Sequence, residues 1–80
     1  MPHREILSQL PGTFYRRPTP GAPPFVKEGD VITPGAVVGL VEVMKMFNEV
    51  QADAGGRVVR FLVDNEAPIE AGQPILVIEG

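Results

Sequence analysis

Apolar residues fall in short runs along this chain, with AVVGLVEV at 36–43 and QPILVIE at 73–79 the most pronounced. Both are rich in β-branched and aliphatic side chains, and this predicts buried core strands of a sandwich or barrel. Nine prolines and nine glycines in eighty residues work against long helices and punctuate the chain as turns do in all-β domains. The one helix-like piece is REILSQL at 4–10, ended by Pro11-Gly12, and it is too short to be stable alone. Residues 1–9 are therefore expected to form a flexible lead-in, with Leu10 as its apolar anchor.

The pattern repeats. VKEGDVITPGAVVGLVE at 26–42 aligns without a gap on VDNEAPIEAGQPILVIE at 63–79, at an offset of 37. Val26 meets Val63, Ile32 meets Ile69, Gly35 meets Gly72 and Glu42 meets Glu79. Upstream, GTFYR at 12–16 matches GRVVR at 56–60 at an offset of 44, so the first half carries seven extra residues. They lie in RPTPGAPPF at 17–25, whose four prolines prevent regular strand pairing and stiffen the backbone. Each half reads as strand, turn, short strand, turn, strand. Two such units covering each other's apolar faces predict a small flattened antiparallel barrel with a pseudo-twofold axis.

Charge and composition narrow what this barrel can do. A chain this short buries only roughly 60–65% of its unfolded surface. It has no cysteine to brace it and a single histidine, His3, so neither a disulfide framework nor a zinc site is expected. The net charge of −3 argues against a nucleic-acid partner, which calls for a basic face. No apolar run reaches the length of a transmembrane helix, and no signal-peptide core opens the chain. The expectation is a soluble, cytoplasmic domain with no membrane partner.

One stretch departs from local rules. VEVMKMFNEV at 41–50 is roughly mirrored about Lys45, as two strands of a hairpin would be. Tight hairpins favour Asn, Asp or Gly at their centre because these tolerate positive φ, yet this chain offers Met44, Lys45 and Met46. Strand alternation would turn Met44 and Met46 inward and Lys45 outward. A lone lysine at a tip fits a solubilising charge as well as a displayed amine, but the mirrored strands and missing turn residues favour display. A lysine amine is a nucleophile on a flexible stem, acylated once deprotonated, and acylation removes its charge and lengthens the arm.

EVMKMFNEV resembles the attachment site of biotin carboxyl carrier (biotinyl) domains, whose hallmark is Met-Lys-Met, commonly Glu-Ala-Met-Lys-Met. The resemblance runs from about Leu10 to Gly80, so residues 10–80 would be the biotinyl domain. It implies a barrel of two four-stranded antiparallel sheets with the lysine at a hairpin tip opposite the termini. It further implies that a biotin–protein ligase joins biotin to Lys45 as an amide, with Met44 and Met46 flanking the acceptor and Glu42 contacting the ligase. The Pro-rich insert at about 17–25 is similar to the thumb of the acetyl-CoA carboxylase type. In that type the domain is a non-catalytic carrier, taking carboxyl from biotin carboxylase to a carboxyltransferase for fatty acid synthesis. Three positions depart from the family pattern: Arg17 stands in place of threonine, Val43 in place of alanine and Glu66 in place of a turn glycine. Other readings are a carrier for a different biotin-dependent carboxylase or decarboxylase, a lipoyl carrier (whose tip usually reads Asp-Lys-Ala), or an unmodified interaction module. The chain would be an excised domain or a compact stand-alone carrier.

Overall fold

Proline and glycine cut the apolar runs into strands of at most seven residues. The computed structural model describes residues 3–80. In chain order its strands are β1 (His3–Leu7), β2 (Gly12–Tyr15), β3 (Val31–Ile32), β4 (Val37–Val43), β5 (Met46–Gln51), β6 (Gly56–Phe61), β7 (Ala67–Ile69) and β8 (Pro74–Glu79). They form two four-stranded sheets, ordered β1-β8-β6-β3 and β5-β4-β2-β7, with every pairing antiparallel. The inward side chains interleave into one core, in which Ile6, Phe14, Val38, Val41, Val58, Ile75, Leu76 and Ile78 are all fully buried. This is the flattened all-β barrel expected from the repeat.

The twofold relation holds at the level of single hydrogen bonds. Short strand β3 of the first half pairs with β6 of the second, Ile32 facing Gly56. In return β7 pairs with β2, Ile69 facing Gly12. Gly29 N–H donates to the Val58 carbonyl at 2.8 Å, and its mate Glu66 N–H donates to the Phe14 carbonyl at 2.6 Å. Gly35 N–H bonds to the Ala52 carbonyl and Gly72 N–H to the Ser8 carbonyl, each at 2.7 Å. Gly12 and Gly56 hold equivalent close approaches. A Cβ on Gly12 would collide with the Glu42 carbonyl oxygen, and one on Gly56 would lie 2.6 Å from that of Glu79. Any side chain at either place would force two strands apart.

Two expectations need correction. The stretch read as a helix-like, flexible lead-in is strand β1 from His3 onward, hydrogen-bonded along β8. Met1 and Pro2 of that stretch lie outside the described residues. The anchor is Ile6, which is 1% exposed, while Leu10 is 41% exposed. The physical reason lies in β8, where four successive residues from Ile75 to Ile78 are buried; such a strand is stable only with a neighbour on each side. The offset of 44 also continues upstream, carrying Ile6 onto Val50 and Glu5 onto Glu49, so β1 is the counterpart of β5. Glu66, for its part, keeps the turn shape that its glycine counterpart has. Its φ is +63°, against +95° at Gly29, and a non-glycine residue holds that conformation at a cost of about 1–2 kcal/mol.

Candidate functional site

The β4–β5 hairpin closes in two residues. Val43 and Met46 are the last paired positions, and Met44 and Lys45 between them have φ of +51° and +67°. Two successive positive φ values are the pattern of the type I′ turn, which matches the twist of the flanking strands. The mirror centre therefore falls between Met44 and Lys45, half a residue from the place suggested by the sequence. Glu42 faces Phe47, Val41 faces Asn48 and Leu40 faces Glu49. Strand alternation does not survive the turn, so the methionines do not turn inward: Met44 is 91% exposed and Met46 70%. Lys45 is exposed between them. Holding two non-glycine residues at positive φ costs about 1–3 kcal/mol each, a cost that Asn-Gly would avoid.

The barrel sets this turn at one end. From the tip, β5 runs to Gln51, and a short turn delivers the chain to Gly56, directly beneath the Glu79 carbonyl. The end of β8 thus lies about a strand length, roughly 20 Å, from Lys45.

Behind the tip, on the outer face of the sheet, lies a cluster that the sequence did not single out. Tyr15 faces Leu40 across β2 and β4, which puts its ring on the same face as Glu42 two residues along. Its hydroxyl donates to Glu42 Oε1 at 3.0 Å. Its ring meets Phe47 edge-on, with centroids 5.6 Å apart and planes at 61°, and Phe47 remains 57% exposed. The signal was available, since alternation along β2 and β4 places Thr13, Tyr15, Leu40 and Glu42 together. The hydrogen bond to Glu42 raises the phenol pKa from its ordinary value, helped by burial and by the charges of Glu42 and Glu66. The neutral phenol is the bonded form, so its stabilising contribution is present below the ordinary phenol range and is lost as pH rises through the raised value. Glu42→Gln is expected to bring the phenol back toward its ordinary pKa. Ultraviolet titration reads this directly, because Tyr15 is the sole tyrosine and there is no tryptophan.

Of the other positions singled out by sequence, Val43 packs against the core cluster. Arg17 belongs to the segment between β2 and β3, whose base is closed by a hydrogen bond from Phe25 N–H to the Arg16 carbonyl at 2.9 Å. The Arg16 guanidinium stacks over the Phe61 ring, 3.8 Å from its centroid. Among the described residues no group of three His, Cys, Asp or Glu side chains could hold a metal ion.

The sequence and the barrel have known counterparts. The family of biotin-requiring enzymes matches residues 4–78. The biotin carboxyl carrier protein of acetyl-CoA carboxylase from Nostoc sp. is 45% identical over 94% of this chain, which spans 41% of that protein. The chloroplastic carrier protein 2 of Arabidopsis thaliana is 41% identical over 91% of the chain, covering 29% of its own length. The carrier protein of Chlamydia muridarum is 45% identical over 91%, covering 45%. The chain thus spans less than half of the length of these relatives. Among solved structures, Kluyveromyces lactis urea carboxylase superposes with a TM-score of 0.80 at 26% identity, over 99% of this chain and 6% of that one. A single-chain, multi-domain long-chain acyl-CoA carboxylase gives 0.76 at 29% identity, over 94% and 7%. Fold and sequence agree, and this chain belongs to the family of biotin-requiring enzymes.

Proposed function

We propose that Lys45 is the acceptor for biotin and that this domain is the non-catalytic carrier of an acetyl-CoA carboxylase. The observation that carries the reading is the turn itself, where Met44 and Lys45 hold positive φ at a place where stability alone favours Asn-Gly. An exposed amine flanked by two exposed methionines fits a group joined covalently and handled by other proteins. When attached, biotin supplies a ureido nitrogen that takes up and gives up a carboxyl group. This chain's contribution is to present Lys45 Nζ to a biotin–protein ligase, which must deprotonate it and supply an activated acyl donor. Thereafter the fold holds the arm clear of the barrel. The lysine and acyl chain together reach roughly 12–14 Å, so longer transfers require the domain to move. The tether keeps the carried group at high effective concentration between a biotin carboxylase and a carboxyltransferase. Met44 and Met46 serve as flanking recognition, Glu42 as a ligase contact, and the setting is cytoplasmic.

The test is intact-mass analysis after incubation with ligase, ATP and biotin, followed by peptide mapping. One biotin on Lys45, with Lys27 unmodified, is the expected result; a lipoyl mass, or no addition, rejects the reading.

The acetyl-CoA carboxylase assignment is supported by the named relatives and by the seven-residue insertion. The segment leaves β2 beside Leu40, about 13 Å of strand from Met44, and doubled back it is long enough to return to the level of the tip. Excising residues 18–24 is expected to shift Tm by only a few degrees, because the Phe25–Arg16 hydrogen bond already closes the loop at its base. Biotin uptake should persist while carboxyl transfer to acetyl-CoA falls at least severalfold. Unfolding on excision would instead make the segment a structural loop.

A further inference from the structure

The twofold gives this protein an internal control, because the same scaffold ends in a glutamate twice. Glu79 is the counterpart of Glu42, and it is held by a histidine and an arginine. His3 Nε2 lies 3.2 Å from one carboxylate oxygen and Arg57 donates to the other at 3.1 Å. The residues matching those partners beside Glu42 are Phe47 and Thr13, neither of them charged. Glu42 instead takes its hydrogen bond from Tyr15, whose own counterpart is Val59. Among the described residues no cation pairs with Glu42, and Oε2 accepts no hydrogen bond. One half neutralises its glutamate; the other orients it and leaves its charge unspent. The same ring that orients Glu42 also braces Phe47, which is 57% exposed and two residues from Lys45.

Resting on the assignment of Lys45 as the acceptor, we propose that Tyr15 is a positioning residue for ligase recognition. It fixes the Glu42 carboxylate and the Phe47 ring as one facet beside the tip. The surface that docks there presents a cationic side chain to Glu42 Oε2 and an apolar contact to Phe47. A freely rotating glutamate would lose side-chain entropy on docking, and a neutral phenol removes most of that cost without cancelling the charge. Recognition built this way acts on association of the carrier more than on the acyl transfer that follows.

The experiment is steady-state labelling by a biotin–protein ligase with the carrier as varied substrate. Tyr15→Phe should raise KM for the carrier about three- to tenfold, the effect of having to order one flexible side chain on docking, with kcat within about twofold. Since phenylalanine keeps the ring against Phe47, Tm should move by no more than a few degrees. Glu42→Gln should raise KM as well and flatten its increase with salt. Tyr15→Phe added to Glu42→Gln should cost little more, because the hydroxyl acts through the carboxylate. A wild-type KM in Tyr15→Phe, effects of the two changes that multiply, or a loss that tracks unfolding and vanishes on cooling would each overturn the role of Tyr15. Those results leave Lys45 as acceptor intact, whereas a wild-type chain that takes no biotin refutes both.

Discussion

Lys45→Arg is expected to abolish biotin uptake completely while leaving the fold untouched. Arginine keeps the positive charge and the exposure of the site, and it meets the same strain at φ of +67°. What it lacks is a free amine, because the guanidinium is not deprotonated in proteins and does not act as an acyl acceptor. The loss should therefore be all-or-none, with no partial rate. Lys27 provides the control within the same chain. It lies outside the strands, with its backbone N–H bonded to Asp30 Oδ2 at 2.9 Å, and it has no flanking methionines. Streptavidin blotting with intact-mass measurement on wild type and Lys45→Arg reads the result, and residual labelling in the variant would move the acceptor elsewhere.

The largest effect on stability is expected from Phe14→Ala. Phe14 is fully buried, and its ring lies beneath Gly39, where a Cβ would collide with Phe14 Cε1. It also meets Phe61 with centroids 6.4 Å apart. Truncation leaves a cavity bounded by both sheets, and Phe→Ala in such sites costs about 3–5 kcal/mol. A chain of this length has a total stability of about 4–12 kcal/mol, so the variant should lose at least a quarter of it. Chemical denaturation with an unchanged m-value and a much lower midpoint is the expected observation. Gly39→Ala approaches the same contact from the other side, by overfilling it.

The sequence carried the architecture further than the details of the site. The offsets of 37 and 44 contain the pairing of β3 with β6 and of β7 with β2, since a twofold repeat closing on itself must exchange its short strands. What misled was Ile6 and Leu10, whose spacing of four imitates a helix although Ile6 is the counterpart of a strand residue, Val50. Edge strands are short and half-exposed, so their local pattern is weak, and only the repeat could have identified β1. At the tip, the lysine was legible through an absence, the missing Asn-Gly. The handedness of the turn was not, because positive φ at Met44 contradicts local preference. Tyr15 escaped notice because its partners come from β4 and β5, and a link of that kind depends on register.

The exchanged short strands carry a last consequence, for how the protein comes to exist. β3 belongs to the first half and completes the sheet of the second, and β7 does the reverse. Neither half can finish a sheet alone, so the barrel closes in one cooperative step governed by contacts distant in sequence. Lys45 sits in the turn that joins the halves, between β4 of one and β5 of the other. During synthesis that turn leaves the ribosome well before β8, so the lysine is present long before it is presented. A modifying enzyme that reads the strained hairpin and the Tyr15 facet would thus act as an inspector, marking only chains in which β1 and β8 have already paired.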